Sequence, residues 1–207
     1  MENEEEASLN DHSHLYHTLE CGADGKPGGI LITSVGQQVL PQVWIGGYKA
    51  YESRSFLNKN RITRILSLGH FKPLYAPTEF VHEIIPIADN PESNIIQHFP
   101  KTFELIDTWI AQGQNILVHC LAGVSRSPTV VTAYLMKKRQ LHPKAALAVI
   151  KQMRPFVNPN PGFMNQLRLY QDMNCEFDPN NPVYIAYHQK HPYDASHIGH
   201  KEYESER

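Results

Sequence analysis

Cys120 and Arg126 are separated by five residues, with Gly123 between them, a pattern suited to phosphate chemistry. They follow a short apolar run at 115–118 that is typical of a buried strand, and they precede Pro128, which helix starts tolerate. Backbone N–H groups in a loop from a strand into a helix N-terminus form an anion cradle, reinforced by the helix dipole. Arg126 can add a planar, two-pronged contact with two phosphate oxygens. The segment therefore predicts a phosphate-binding loop.

Cys120 is the predicted nucleophile of this loop. A cysteine beside a helix N-terminus loses its proton more readily than a free cysteine, which leaves a thiolate at neutral pH. A buried structural cysteine would not explain the coincidence of Gly123, Arg126 and a strand-to-helix transition. The predicted chemistry is transfer of a phosphoryl group to sulfur. The predicted cradle consists of Leu121, Ala122, Gly123, Val124, Ser125 and Arg126.

Asp89 is the candidate general acid, because a thiolate that attacks phosphorus needs the leaving oxygen protonated. It lies just past a predicted strand in an Asp-Asn-Pro turn, from which it can approach the cradle. The same carboxylate would then activate the water that hydrolyses the thiophosphate. Asp107 is the weaker candidate because it lies inside a predicted helix. Ser125 and Ser127 can donate hydrogen bonds near the sulfur, and Ser127 is the one expected to help the thiolate leave.

Strands alternate with helices along the chain, which predicts an α/β fold. Runs of branched and apolar residues predict strands at 42–47, 62–68, 82–88 and 115–118. Helices are predicted at 48–57, 129–138, 143–153 and 162–173. Another is predicted at about 96–112 from an apolar stripe: Phe99, Phe103, Ile106 and Ile110. We expect Ser127 to cap the helix after the phosphate loop and Pro128 to be its first residue.

The composition fits one soluble globular domain with tails. The chain has 207 residues, of which 41% are hydrophobic, so a wholly disordered chain is excluded. No stretch approaches the roughly 18 apolar residues of a membrane span, and the acidic N-terminus is unlike a secretory signal. The cysteines are odd in number and far apart, which fits neither a disulfide framework nor structural zinc: Cys21, Cys120 and Cys175. We expect a reducing compartment, the cytoplasm or the nucleus.

Charge and composition divide the chain into three parts. Residues 1–37 hold seven acids and one base and lack apolar periodicity, which predicts an acidic, disordered tail. Residues 38–174 are the predicted catalytic domain, and residues 175–207 are a polar extension. A basic body between acidic ends suits an anionic ligand, although ordinary surface charge gives the same pattern. A fragment of residues 35–175 is expected to fold and remain active.

Histidines concentrate at the two ends of the chain and could suggest a metal site. Without cysteine partners and in sequence of disordered character, they do not support one, so no metal is predicted. The residues concerned are His12, His14, His17, His188, His191, His197 and His200.

The string His-Cys-x-x-Gly-x-x-Arg-Ser at 119–127 resembles the signature of the cysteine-dependent protein tyrosine phosphatases. Extended through Pro128 and Thr129, it is similar to the dual-specificity branch. An isolated Cys-x5-Arg would also allow a rhodanese-type or a low-molecular-weight phosphatase. The resemblance extends over about residues 38–174. Val43–Gly47 is similar to the family's opening strand, Asp89 stands 31 positions before Cys120 as the family's acid does, and 154–163 matches the segment behind the loop.

This resemblance implies a central mixed β-sheet flanked by α-helices. It implies hydrolysis of phosphotyrosine and phosphoserine/threonine in proteins through a cysteinyl-phosphate, with no metal or other cofactor. The implied partner is a phosphorylated protein, such as a signalling kinase. The resemblance implies no binding to nucleic acid or to a membrane. The implied catalytic residues are Cys120, Arg126, Asp89 and Ser127, supported by His119, which orients the loop, and by Asn160.

Within the family, residues 95–184 look most like phosphatases that carry a cysteine-rich zinc module after the catalytic domain. The sequence ends without such a module, which means either that the protein lacks it or that the sequence is shortened, and no function of the module is carried over. We also expect no rhodanese-like docking domain before residue 38. The resemblance to the classical MAP-kinase phosphatases therefore stops at the catalytic domain.

Two other function classes are weighed against a protein phosphatase. Phosphoinositide enzymes of the superfamily tend to place lysines within the loop, and RNA 5′-phosphatases have Arg-Thr where this chain has Arg126-Ser127. Positions 121–125 hold neither lysine nor arginine, so neither enzyme is favoured. A non-catalytic phosphoprotein scaffold would normally lack the nucleophile or the arginine, and both are present. The sequence therefore predicts an active protein phosphatase.

Overall fold

The computed structural model describes residues 35–192. Predictions that concern residues 1–34 and 193–207 lie outside the described residues: most of the acidic tail, Cys21, His12, His14, His17, His197 and His200. Among the described residues, no helix is both long and apolar enough to cross a membrane.

The core of the fold is a five-stranded mixed sheet, which confirms the predicted fold class. The strands are β1 (Gly36–Leu40), β2 (Val43–Gly46), β3 (Ile62–Leu68), β4 (Val81–Ile85) and β5 (Asn115–His119). Their spatial order is β1-β2-β5-β3-β4, with β1 antiparallel to β2 and the other neighbours parallel. The central position of β5 explains its continuous apolar run, because a parallel strand covered on both faces has no polar side. The predicted phosphate loop thus follows the end of the central strand.

Seven α-helices flank the sheet in the described part of the chain. They are α1 (Tyr48–Glu52), α2 (Arg54–Lys59), α3 (Phe99–Ala111), α4 (Arg126–Arg139), α5 (Pro143–Met153), α6 (Pro161–Asp172) and α7 (Pro182–Lys190), and a 3-10 turn, Ile96–His98, leads into α3. Alternation along β5 builds a core on each face. Ile116 and Val118 pack with α3 to α6, whereas Leu117 packs with Tyr51 and Leu57 of α1 and α2. Helix α4 is buried from Arg126 to Met136 and is the central helix of the larger core.

The elements before β5 differ from the sequence prediction in three places. The helix predicted at 48–57 is two short helices, α1 and α2, because Ser53 between them is extended and caps α2 through the Phe56 N–H. The strand predicted at 82–88 ends at Ile85, because Pro86 has no N–H to donate to a strand ladder. Strand β1 was not predicted and begins at Gly36, two residues before the predicted start of the catalytic domain. It forms the antiparallel edge of the sheet.

The start of α4 was predicted wrongly. The helix begins at Arg126 with Ser125 at its N-cap position, so Ser127 and Pro128 lie inside the first turn. A proline is tolerated there because the first N–H groups of a helix have no intrahelical partner. Ser127 is therefore free of a capping role, and its hydroxyl faces Cys120.

The polar extension contains a helix that sequence reasoning missed. Helix α7 begins after Asn181, whose side chain accepts a hydrogen bond from the backbone of Val183. Its Tyr184 and Tyr187 are partly buried against the larger core. Mixed tyrosines, histidines and prolines gave no clear apolar period, so the packing of these two aromatic rings was not visible in the sequence.

Candidate active site

The phosphate loop joins the C-terminus of β5 to the N-terminus of α4. Cys120 is buried at its start, and its sulfur accepts hydrogen bonds from the Gly123 N–H at 3.3 Å and from the Ser127 hydroxyl at 3.4 Å. Gly123 has φ +68°, and a Cβ there would lie 2.5 Å from the backbone of Gly46. Only glycine fits this position. The loop thus directs two donors at the sulfur of Cys120.

The carbonyl groups of the loop are bonded to other parts of the protein. Leu121 accepts from the Tyr48 N–H at 2.7 Å, and Val124 accepts from the Asn158 N–H at 2.8 Å. The guanidinium of Arg154 donates to the carbonyls of Gly123 at 2.9 Å and of Ala122 at 3.3 Å. These bonds turn the carbonyls outward, which leaves the N–H groups for an anion.

Arg154 is a supporting residue to which sequence reasoning gave no role of its own. Besides the two loop carbonyls, its guanidinium contacts the side chain of Gln37 on β1. Burial lowers the pKa of Arg154 to about 10, so it remains charged at neutral pH. Its place in the segment 154–163 was a signal, but its partners are set by the tertiary fold.

Arg126 lies under the loop and reaches the segment between β4 and Asp89. It is almost fully buried, and its Nη1 donates to the carbonyl of Ile87 at 3.1 Å. Its Nε lies 3.8 Å from Asp89 Oδ2. The guanidinium therefore connects the phosphate loop to the segment that carries the candidate acid.

Asp89 lies beside the phosphate loop, although 30 residues separate it from Cys120 in the sequence. Its Oδ1 accepts from the Ser125 hydroxyl at 2.7 Å and from Asn160 Nδ2 at 2.9 Å. Asn160 caps α6 through the Phe163 N–H, and its own N–H donates to the Ser125 hydroxyl at 3.1 Å. The structure thus brings Asp89, Ser125 and Asn160 into one hydrogen-bonded group.

Asp107, the weaker acid candidate, lies between α3 and α4 and makes its contacts there. Its carboxylate accepts from the Tyr134 hydroxyl and from Lys138 Nζ, both at 2.8 Å. Burial, together with the hydrogen bond to Asp107, raises the pKa of Tyr134. These contacts join α3 to α4 and give Asp107 a structural role.

His119 lies behind the loop and is completely buried. Its Nδ1 is 3.2 Å from the carbonyl oxygen of Cys120, and its ring stacks on Tyr51 with centroids 4.5 Å apart. Burial lowers the pKa of His119 to about 3, so the ring is neutral at physiological pH. Its other nitrogen contacts Ser67 on β3, a residue that sequence reasoning did not single out.

No group of three or more histidine, cysteine or acidic side chains in residues 35–192 could hold a metal ion. His188 and His191, the described members of the histidine-rich ends, pack around Tyr187. Cys175 is free and buried, and burial raises the pKa of its thiol.

Comparison with known proteins identifies the family. Residues 43–173 match the model of the dual-specificity phosphatase catalytic domain. The chain belongs to the dual-specificity phosphatase family. It is 42% identical over 134 residues to dual specificity protein phosphatase 22-B of Danio rerio, a match that covers 65% of this chain and 73% of that protein. The family resemblance drawn from the loop sequence is thereby confirmed.

Two further comparisons support the same family assignment. Dual specificity protein phosphatase 19 of Mus musculus is 38% identical over 133 residues, which cover 64% of this chain and 60% of the mouse protein. The match therefore spans less than two thirds of that relative. The crystal structure of DUSP15 superposes with a TM-score of 0.64 and 34% identity, covering 75% of this chain and 96% of that one. Residues 43–173 of this dual-specificity phosphatase thus form a protein phosphatase catalytic domain.

Proposed function

We propose that this chain hydrolyses phosphotyrosine and phosphoserine/threonine in proteins through a phosphoryl group carried on Cys120. The main support for the proposal is the position of the Cys120 sulfur at the base of a loop whose carbonyl groups are hydrogen-bonded to other segments. The Gly123 N–H and the Ser127 hydroxyl both point at it, and Asp89 lies one hydrogen bond from Ser125.

In the first step the backbone N–H groups of residues 121–126 and the guanidinium of Arg126 bind the phosphate oxygens. The Cys120 thiolate attacks phosphorus as the bond from phosphorus to the substrate oxygen breaks. Asp89 gives its proton to that oxygen, which leaves as a phenol or an alcohol. Arg126 and the loop N–H groups stabilise the charge on the phosphoryl oxygens in the transition state.

In the second step water attacks the phosphoryl group on Cys120. Asp89, now a carboxylate, takes the proton of the water, the sulfur–phosphorus bond breaks, and inorganic phosphate leaves. The Ser127 hydroxyl and the Gly123 N–H stabilise the thiolate as it departs. With Asp89 protonated again and Cys120 a thiolate, the enzyme is back in its starting state.

The substrate class follows from what the loop lacks. The positions between Cys120 and Arg126 hold no basic side chain that would favour an inositol phosphate. Both the nucleophile and the arginine are present, which disfavours a binding-only scaffold. Because a thiolate nucleophile needs a reducing environment, we place the protein in the cytoplasm or the nucleus, with phosphorylated signalling proteins, kinases included, as its substrates.

The intermediate provides the test. A reaction with an aryl phosphate, stopped by rapid denaturation, should yield the Cys120 peptide carrying one phosphoryl group by mass spectrometry. Turnover without that adduct would contradict the mechanism. A panel of singly and doubly phosphorylated peptides, a phosphoinositide and a 5′-phosphorylated RNA, offered to the wild type and to Cys120→Ser as a trapping form, would then rank the substrate classes. Preference for either non-protein substrate would overturn the assignment.

A further inference from the structure

A series of hydrogen bonds crosses three neighbouring strands and ends at the backbone carbonyl of Cys120. His82 Nε2 on β4 lies 2.6 Å from the Ser67 hydroxyl on β3, and the same hydroxyl contacts His119 Nε2 on β5. His119 Nδ1 in turn faces the carbonyl oxygen of Cys120 at 3.2 Å. The sheet register makes this possible because Ser67 pairs with His119. On the other side Ile65, two residues before Ser67, pairs with His82, which places Ser67 and His82 as diagonal neighbours.

The direction of every proton in this series is fixed by the donors and acceptors present. A carbonyl only accepts, so His119 donates from Nδ1 to Cys120. Because His119 is neutral, its Nε2 carries no hydrogen and must accept from the Ser67 hydroxyl. Serine has one hydroxyl proton, so His82 must donate to Ser67 from Nε2. Each N–H and O–H bond therefore points toward Cys120.

Tyr51 of α1 lies at the outer end of this series of hydrogen bonds. Its hydroxyl accepts from the Leu74 N–H at 2.7 Å, donates to the Lys72 carbonyl at 2.9 Å and lies 3.4 Å from His82 Nδ1. Burial raises the pKa of Tyr51 to about 12 and lowers the pKa of His82 to about 4, so both stay neutral at pH 7.

A charged side chain also acts on these neutral groups. The guanidinium of Arg126, from α4, further disfavours a positive charge on His119, as does His82 itself. The direction of the protons is thus stable across the working range of the enzyme.

We propose that His82 is a positioning residue for the nucleophile, acting through Ser67 to hold His119 in its Nδ1–H form and so to fix the carbonyl of Cys120. The proposal rests on the proposed role of Cys120. Without the donor on His82, the Ser67 hydroxyl can accept from His119 instead of donating. His119 would then carry its hydrogen on Nε2 and lose its bond to Cys120. Fixing this carbonyl also keeps the Cys120 sulfur within reach of the Gly123 N–H and the Ser127 hydroxyl, whose hydrogen bonds favour a thiolate, so both orientation and ionisation depend on His82.

The test measures the nucleophile without turnover. Alkylation of Cys120 by iodoacetamide is followed from pH 5 to 9 by mass spectrometry of its own peptide, because the other cysteines react too. His82→Phe keeps an aromatic ring without a donor. It should move the midpoint of alkylation up by about 0.5–1 pH unit and lower kcat/KM at pH 6 by about 3–10-fold, with KM little changed. The matched control His98→Phe removes another partly buried histidine, beside α3, and should leave both unchanged.

Two amide variants separate positioning from packing. The amide nitrogen of His82→Gln reaches about as far as Nε2 and should restore the wild-type midpoint. The amide of His82→Asn ends near the position of Nδ1, does not reach Ser67 and should behave like His82→Phe. Both polar variants are compared by circular dichroism, so the comparison survives even if the phenylalanine variant does not fold. Equal midpoints for Gln and Asn would overturn the proposal.

A double-mutant cycle tests the route through Ser67. If His82 acts through that hydroxyl, His82→Phe should add no further shift in a Ser67→Ala background. A full additional shift would show a different route and overturn the proposal. Failure of the proposed function is distinguishable, because it would abolish the phosphorylated Cys120 peptide while leaving the alkylation shifts intact.

Discussion

The phosphate loop and the acid loop, residues 88–94, are held in opposite ways. In the phosphate loop, each carbonyl from Leu121 to Val124 is bonded to another segment, and Cys120 and Arg126 are buried. In the acid loop, a third of the Asp89 side chain is exposed, and its carboxylate accepts hydrogen bonds from two side chains, Ser125 and Asn160, and pairs with Arg126. The nucleophile is therefore fixed before substrate arrives. The acid is held by bonds that substrate can exchange.

This difference follows from the chemistry of the two steps. Stabilising charge on a phosphoryl group requires preorganised donors, because reorganisation during the reaction would cost rate. The acid must both give and take a proton, and its partners must allow both states. The effects of variants in the two loops on activity should therefore differ in magnitude and also in how they depend on the substrate.

Cys120→Ser should have the largest effect. Serine preserves the cradle, but its hydroxyl is scarcely ionised at neutral pH, so turnover should fall by at least about 10⁴-fold while phosphate binding stays largely intact. Activity on an aryl phosphate and calorimetric titration with inorganic phosphate measure the two quantities. More than a few per cent residual activity would rule out covalent catalysis by Cys120.

Arg126→Lys should be nearly as damaging. Lysine keeps the charge but loses the planar fork, and it cannot reproduce the bond to Ile87 while binding two phosphate oxygens. We expect kcat to fall on the order of 10²–10³-fold on every substrate, because the phosphoryl charge is common to all of them. An unchanged kcat would remove Arg126 from transition-state stabilisation.

The same contrast explains what the sequence could predict. The phosphate loop is contiguous, so its nucleophile, cradle and arginine could all be proposed from spacing and from the rules for helix N-termini. Local rules were insufficient where two functions compete for one residue. Ser127 was assigned to the cap as well as to the sulfur, and in the structure it serves the sulfur while Ser125 takes the N-cap position.

The supports from distant segments could not be predicted. Arg154 contacts the loop from 31 residues away and Gln37 contacts Arg154 from the opposite end of the domain. Nothing in the local sequence of either residue specifies these partners. His82 and Ser67 likewise belong to ordinary strand sequences, and only the register of β3 with its neighbours brings them to His119.

Asp89→Asn should sharpen the comparison, because its effect should depend on the substrate. Phosphotyrosine leaves as a poorly acidic phenol and needs the proton, so its hydrolysis should slow by about 10²–10⁴-fold. An activated ester with an acidic leaving phenol needs the proton less and should slow less. Asparagine can still bond to Ser125 and Asn160, so the loop itself should remain in place.

The pH profile gives an independent check on Asp89. The wild type requires an ionised Cys120 and a protonated Asp89, which predicts a bell-shaped rate with its maximum on the acid side of neutrality. Asp89→Asn should flatten the alkaline limb. Both substrates are measured over pH 4–9 in the two proteins. Equal losses on the two substrates with an intact alkaline limb would reduce Asp89 to a structural residue.

The acid loop is also anchored at its far end, by α6 and α7. Gln166 accepts from the N–H groups of Ile95 and Ile96 at 2.9 and 3.1 Å and donates to the Ser93 carbonyl at 2.8 Å. The Tyr184 hydroxyl accepts from Asn94 Nδ2 at 3.0 Å. The predicted fragment 35–175 would lose this second anchor together with the packing of α7, so a fragment ending at 192 is the better minimal domain.

Tyr184→Phe should therefore have the smallest effect, confined to the acid loop. The ring still packs on the core, and only the bond to Asn94 is lost, so stability should fall by about 1 kcal/mol or less in urea denaturation. Activity on phosphotyrosine should fall by about 2–3-fold, because the acid is less well placed, while the activated ester should be unaffected. Tyr187→Phe is the matched control on the same helix and should leave the ratio of the two substrates unchanged. A loss in Tyr184→Phe that is equal on both substrates would mean that α7 supports the whole domain and has no selective effect on the acid loop.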